Sequence, residues 1–90
     1  AYKGGGGYSI SKFAMHGFSI NLREEMKPFG IKVTTVHPGA VHTDTWGDFD
    51  NSSKRIMEAS DISKSIYACT QLSTQAVIEE IVIRPQLGDL

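Results

Sequence analysis

Between Ser9 and Phe29 the apolar residues Ile10, Phe13, Ala14, Gly17, Phe18, Leu22, Met26 and Phe29 recur at steps of three and four. That spacing gathers them on one side of a helix, so the stretch must lie against an apolar surface. A second apolar edge through Met15, Ile20 and Leu22 predicts burial on more than one side, and Gly17 leaves room for another element to approach. Pro28 and Gly30 stop the helix. Ile31 to His37 is rich in β-branched residues and reads as a strand, ended by Pro38, which lacks an amide donor for the next ladder bond. After a loop from Pro38 to Thr45, Ser53 to Glu58 reads as a short helix. Ser60 is expected to cap a further helix, with Asp61 at its positive end and Ile62, Ile66, Cys69 and Leu72 on one buried face. Ala76 to Arg84 is the last strand, with Val77, Ile81 and Ile83 facing one way. Helix, strand, helix, strand places the chain in the α/β class, with one βαβ unit of parallel strands joined by a right-handed crossover.

Ninety residues permit one domain at most. Two strands and a long helix make a thin layer whose apolar faces call for a further covering surface. Nine basic and ten acidic residues are interspersed for a net charge of −1, which argues against a nucleic-acid footprint or a polybasic membrane surface. No apolar run approaches the length of a membrane span. The single Cys69 has no partner within the chain for a disulfide, so a reducing, cytoplasmic setting is expected, and its place on the apolar stripe marks it as a small core residue.

Chemistry concentrates at Tyr8-Ser9-Ile10-Ser11-Lys12, directly after the glycine run Gly4 to Gly7. On a helix, residues four apart share a face, which brings the phenol of Tyr8 and the ammonium of Lys12 together. A fixed cation favours the phenolate, so Tyr8 can act as an acid toward a carbonyl oxygen or as a base toward an alcohol. An ordinary solvated pair on a helix has the same spacing. Ala1 to Gly7 reads as a loop able to approach a ligand closely. It lacks both the Gly-Lys-Ser/Thr ending of a phosphate cradle and the preceding strand of a dinucleotide fingerprint.

The residues Tyr8 to Ala14, Gly17-Phe18, Leu22 to Met26, Gly30 to Val33, Val36 to Val41 and Thr43, with the ending Glu80 to Pro85 and Asp89-Leu90, resemble the short-chain dehydrogenase/reductase family over nearly the whole chain. The resemblance implies an NAD(P)-dependent oxidoreductase acting on a small-molecule carbonyl or alcohol, with NADP preferred. It assigns Tyr8 as the acid/base and Lys12 as the residue that lowers its pKa and binds the nicotinamide ribose. It places Pro38, Gly39, Val41 and Thr43 around the nicotinamide, with the Val41 backbone at the carboxamide and Thr43 contributing a hydroxyl. It also implies a homo-oligomer interface along the helix near residues 9–29. The family's catalytic Ser and glycine fingerprint lie further upstream than this chain reaches. Residues 1–90 are therefore expected to be the C-terminal part of one Rossmann-like, doubly wound domain, inactive without its N-terminal dinucleotide-binding half. A non-catalytic α/β interaction module retaining the fold is the alternative.

Thr43 to Asn51 mixes Trp46 and Phe49 with Asp44, Asp48 and Asp50. Asp48-Phe49-Asp50 opens like a calcium loop, but Ser53 and Ala59 stand where glycine and a bidentate Glu are required. A substrate loop carrying Trp46 and Phe49 is the functional expectation, beside an ordinary solvated acidic loop. His37, His42 and Asp44 match no zinc signature, and no metal is expected.

Overall fold

The computed structural model describes residues 3–88. They form two compact units, divided between Thr35 and Val36. Among the described residues no helix is long and apolar enough to cross a membrane.

The first unit is dominated by helix α1, Gly6–Met26. Its first turn contains Gly6 and Gly7, and the Ser9 amide donates to the Gly5 carbonyl at 2.8 Å. The glycine loop expected to reach Gly7 therefore ends at Gly5, while Ala1 and Tyr2 lie outside the described residues. Glycine's low helix propensity is overridden here by the good helix formers that follow. A 3₁₀ turn, Lys27–Phe29, continues α1, with Pro28 where a free amide is least needed. Gly30, at φ 70°, closes it in the left-handed conformation that glycine adopts without penalty.

The chain leaving α1 is tied back by Arg23, which is only 7% exposed. Its Nε donates to the Val33 carbonyl at 3.0 Å and its Nη2 to Thr35 Oγ1 at 3.4 Å. Residues 31–34 are not part of a strand, and the strand expected from Ile31 begins only at Thr35. Among the described residues much of the apolar stripe of α1 is exposed, with Leu22 and Met26 half-buried. Ile10, Phe13, Met15, Phe18 and Ile20 are all exposed, and nothing stands within 4 Å of where a Cβ on Gly17 would be.

Strand β1 (Thr35–Pro38), whose residues from Val36 onward belong to the second unit, pairs with β4 (Glu80–Ile83). The Gly39 amide extends this pairing by donating to the Ile83 carbonyl at 2.8 Å. His37 and Glu80 face each other across the pair at 3.6 Å. On β4, Ile81 and Ile83 are half-buried while Glu80 and Val82 are exposed, the period-two pattern of a strand with one covered face. A second pair is formed by β2 (Val41–His42) and β3 (Met57–Glu58), parallel, with Val41 opposite Met57 and His42 opposite Glu58. Helix α2, Ala59–Cys69, connects β3 toward β4 and supplies the crossover of the expected βαβ unit. Among the described residues, Ile56 and Met57 are the buried hydrophobic residues of this unit.

Four expectations are corrected here. Ser53 to Glu58 is no helix: it is a turn followed by β3. The N-cap of α2 is Glu58, not Ser60; the Glu58 carboxylate accepts from the Asp61 amide, and Asp61 Oδ2 accepts from the Glu58 amide at 3.0 Å. This reciprocal arrangement satisfies two amides that a helix start leaves unpaired. On α2, Ile62 and Cys69 are half-buried but Ile66 is exposed, and Leu72, also exposed, lies beyond the end of the helix. The final strand is also shorter than Ala76 to Arg84.

Candidate active site

Tyr8 and Lys12 belong to the first turns of α1. Lys12 Nζ stands 5.3 Å from the centroid of the Tyr8 ring, so the two side chains share one face of the helix, as their spacing requires. Both are exposed, Tyr8 by 56%, and an incoming group can therefore reach the phenol and the ammonium together. Ser11 Oγ donates to the Tyr8 carbonyl at 2.7 Å, which keeps that hydroxyl on the helix backbone. The pair offers one phenolic hydroxyl and three ammonium donors, a set suited to a carbonyl oxygen and to vicinal sugar hydroxyls.

The remaining predicted residues lie in the second unit. Pro38 ends β1 exposed, and Gly39 is half-buried with its amide engaged by Ile83. Val41 was expected in a loop but lies in β2, half-buried opposite Met57. Thr43 is exposed, and its carbonyl accepts from the Trp46 amide at 3.0 Å. A 3₁₀ turn, Asp44–Trp46, follows and ends at Gly47, whose φ of 60° turns the chain back. The turn brings Trp46 and Phe49 together, edge to face, with ring centroids 5.0 Å apart, and the His42 ring centroid lies 6.1 Å from that of Phe49.

Beyond the rings, Asp50 Oδ1 accepts from the Ser52 amide at 2.9 Å. That hydrogen bond holds the Asp50 carboxyl below the usual aspartate range, with the Ser52 hydroxyl and the nearby His42 acting in the same direction. Asn51, unremarked in the sequence, is 8% exposed and bonded to both Ile56 and Glu58. A lone Asn in a polar loop carries no periodic signal, so only its burial reveals it.

Residues 1–54 match the short chain dehydrogenase family. The chain is 32% identical to a sepiapterin reductase of Chlorobaculum tepidum over 84 residues, covering 92% of this chain and 34% of that protein. It is 34% identical to an uncharacterized oxidoreductase of Staphylococcus aureus, covering 87% of this chain and 34% of the relative. Among solved structures, a β-ketoacyl-[ACP] reductase from Bacteroides thetaiotaomicron superposes with a TM-score of 0.80 at 34% identity, over 92% of this chain and 37% of that one. The closed form of a serine dehydrogenase complexed with NADP+ superposes with a TM-score of 0.81 at 21% identity, over 99% of this chain and 40% of that one, a likeness of fold. The chain thus spans about a third of the length of the curated relatives it matches.

Proposed function

Since the chain belongs to the short-chain dehydrogenase family, we propose that it is the C-terminal part of a single Rossmann-like oxidoreductase domain that interconverts a small carbonyl and a secondary alcohol with NAD(P). The observation that carries this reading is the shared, exposed face of Tyr8 and Lys12, with the ammonium 5.3 Å from the phenol ring.

When bound, the nicotinamide supplies or accepts the hydride. In reduction the Tyr8 hydroxyl donates its proton to the carbonyl oxygen, and in oxidation the phenolate takes it back from the alcohol. The Lys12 ammonium stabilises the negative charge left on the phenol oxygen and donates to ribose hydroxyls. Pro38, Gly39, the backbone at Val41 and the Thr43 hydroxyl would hold the nicotinamide, the Val41 backbone at its carboxamide. Supporting this, Pro38 ends β1 and Gly39 follows it directly, the position at which open α/β sheets meet their ligands. Trp46 and Phe49 contact the substrate. The open apolar face of α1, from Ile10 to Ile20, is where a second copy packs to form a homo-oligomer. The lone Cys69 suits a reducing, cytoplasmic compartment.

The test is consumption of NADPH or NADH by the complete polypeptide that carries this segment, across a panel of small ketones, aldehydes and secondary alcohols. No nicotinamide-dependent turnover with any of them would leave the interaction-module reading in its place. Turnover by the 90-residue chain alone would contradict its assignment as part of a larger domain.

A further inference from the structure

The segment between β2 and β3 has both of its ends fastened to β3. At its start, Val41 and His42 pair with Met57 and Glu58. At its far end, Asn51 Nδ2 donates to the Ile56 carbonyl at 3.1 Å and to Glu58 Oε1 at 3.2 Å, while Asn51 Oδ1 accepts from the Ile56 amide at 3.1 Å. One carboxamide thus satisfies both main-chain groups of Ile56, as a neighbouring strand would, at the most buried place in the unit. Between these anchors the segment folds on itself. The amides of Trp46, Gly47 and Phe49 donate to the carbonyls of Thr43, Asp44 and Trp46, and the Trp46 and His42 rings each pack against Phe49. A compact surface loop with neighbouring ends, filled by its own side chains, is an Ω-type loop.

We propose that Asn51 is the positioning residue of this loop: its carboxamide closes the neck, so that Trp46 and Phe49 are presented as one preformed aromatic unit. The consequence for the reaction rests on the reading of those two rings as substrate contacts. The chemistry of the neck admits few replacements. It needs a donor and an acceptor on one planar group at this chain length, plus a second donor toward Glu58. An Asp would lose both donors and set a carboxylate against that of Glu58, and a Gln would overreach by a methylene.

Trp46 is the sole tryptophan of the chain, so its emission reports on the loop alone. Acrylamide quenching of Trp46 is compared in the wild type, Asn51→Ala and Asn51→Asp, with far-ultraviolet circular dichroism recording the helices. An increase in quenching of roughly twofold or more with the helical signal retained is the expected result, because opening the neck frees a local unit without unfolding the rest. Unchanged quenching in both variants would overturn the proposal. Should the variants unfold, amide hydrogen exchange of the wild type decides. The Ile56 amide should exchange as slowly as that of Met57, which donates to the Ala40 carbonyl at 3.1 Å, and fast exchange at Ile56 would overturn the closed neck. In the active polypeptide Asn51→Ala should raise KM about tenfold with a smaller change in kcat, the signature of lost substrate positioning. Increased quenching with an unchanged KM would uphold Asn51 as the neck and remove Trp46 and Phe49 from the substrate site.

Discussion

Replacing Arg23 by Ala tests what holds the chain after α1 in place. Wild-type Arg23 is 7% exposed, and its hydrogen bonds include a well-formed one from Nε to the Val33 carbonyl at 3.0 Å and a longer one from Nη2 to Thr35 Oγ1 at 3.4 Å. A hydrogen bond from a charged donor contributes about 1.5–3 kcal/mol, and the longer contact about 0.5 kcal/mol, so the loss should total about 2–3.5 kcal/mol. Urea unfolding followed by circular dichroism measures it. The midpoint should fall with the slope unchanged, since the same surface is exposed on unfolding. Thr35→Val removes only the longer contact and should cost less than about 1 kcal/mol. The double variant should destabilise by less than the sum of the two single ones, because both remove the same bond. If Arg23→Ala stayed within about 0.5 kcal/mol of wild type, Arg23 would be an ordinary surface residue and the tie-back argument would fail.

Left-handed backbone gives opposite signs at two positions. Lys54, at φ 57°, should gain about 0.5–1 kcal/mol on replacement by Gly, whereas Gly30→Ala, at φ 70°, should lose about 1 kcal/mol through the backbone alone, since its Cβ would meet nothing. Thermal melts of both variants check the pair. Asp61→Ala removes half of the reciprocal cap on α2 and should cost about 0.5–2 kcal/mol, with amide exchange rising first at the start of α2. The Ser52 amide lowers the folded pKa of Asp50 below its unfolded value. The stabilisation it gives is therefore present above the ordinary aspartate value and is lost as pH falls through the lower, folded one. A carboxyl-carbon NMR titration should place the Asp50 midpoint below about 3.9, and a midpoint at or above that would contradict the Ser52 bond.

Long periodic elements were legible from residue spacing, and short ones were not. The steps of three and four from Ile10 to Met26 mark α1 because that many periodic positions outweigh any single poor helix former, even two glycines at its start. Ser53 to Glu58 misleads for the opposite reason. Its residues favour a helix, yet Asn51 takes both main-chain groups of Ile56 and β2 pairs with Met57 and Glu58, so tertiary hydrogen bonds decide the conformation. Two-residue strands carry no alternation to detect. The cap on α2 was misplaced because Ser60 has the commoner capping side chain, while Glu58 caps only with the answering Asp61. At the candidate site, the Tyr8 and Lys12 juxtaposition follows from helix geometry alone, and so was legible. The packing of His42 against Phe49 and the closure by Asn51 depend on how a loop folds back, which no fixed spacing encodes.

The most direct measurement is single-turnover reduction by the Tyr8→Phe variant of the complete polypeptide, with NADPH affinity measured beside it by fluorescence titration. Loss of one proton donor should slow hydride transfer about 10²- to 10⁴-fold and leave cofactor affinity within a factor of about three. A Tyr8→Phe rate within a few-fold of wild type, at saturating cofactor, would show that the proton comes from elsewhere and that the face shared with Lys12 is not the site of the chemistry.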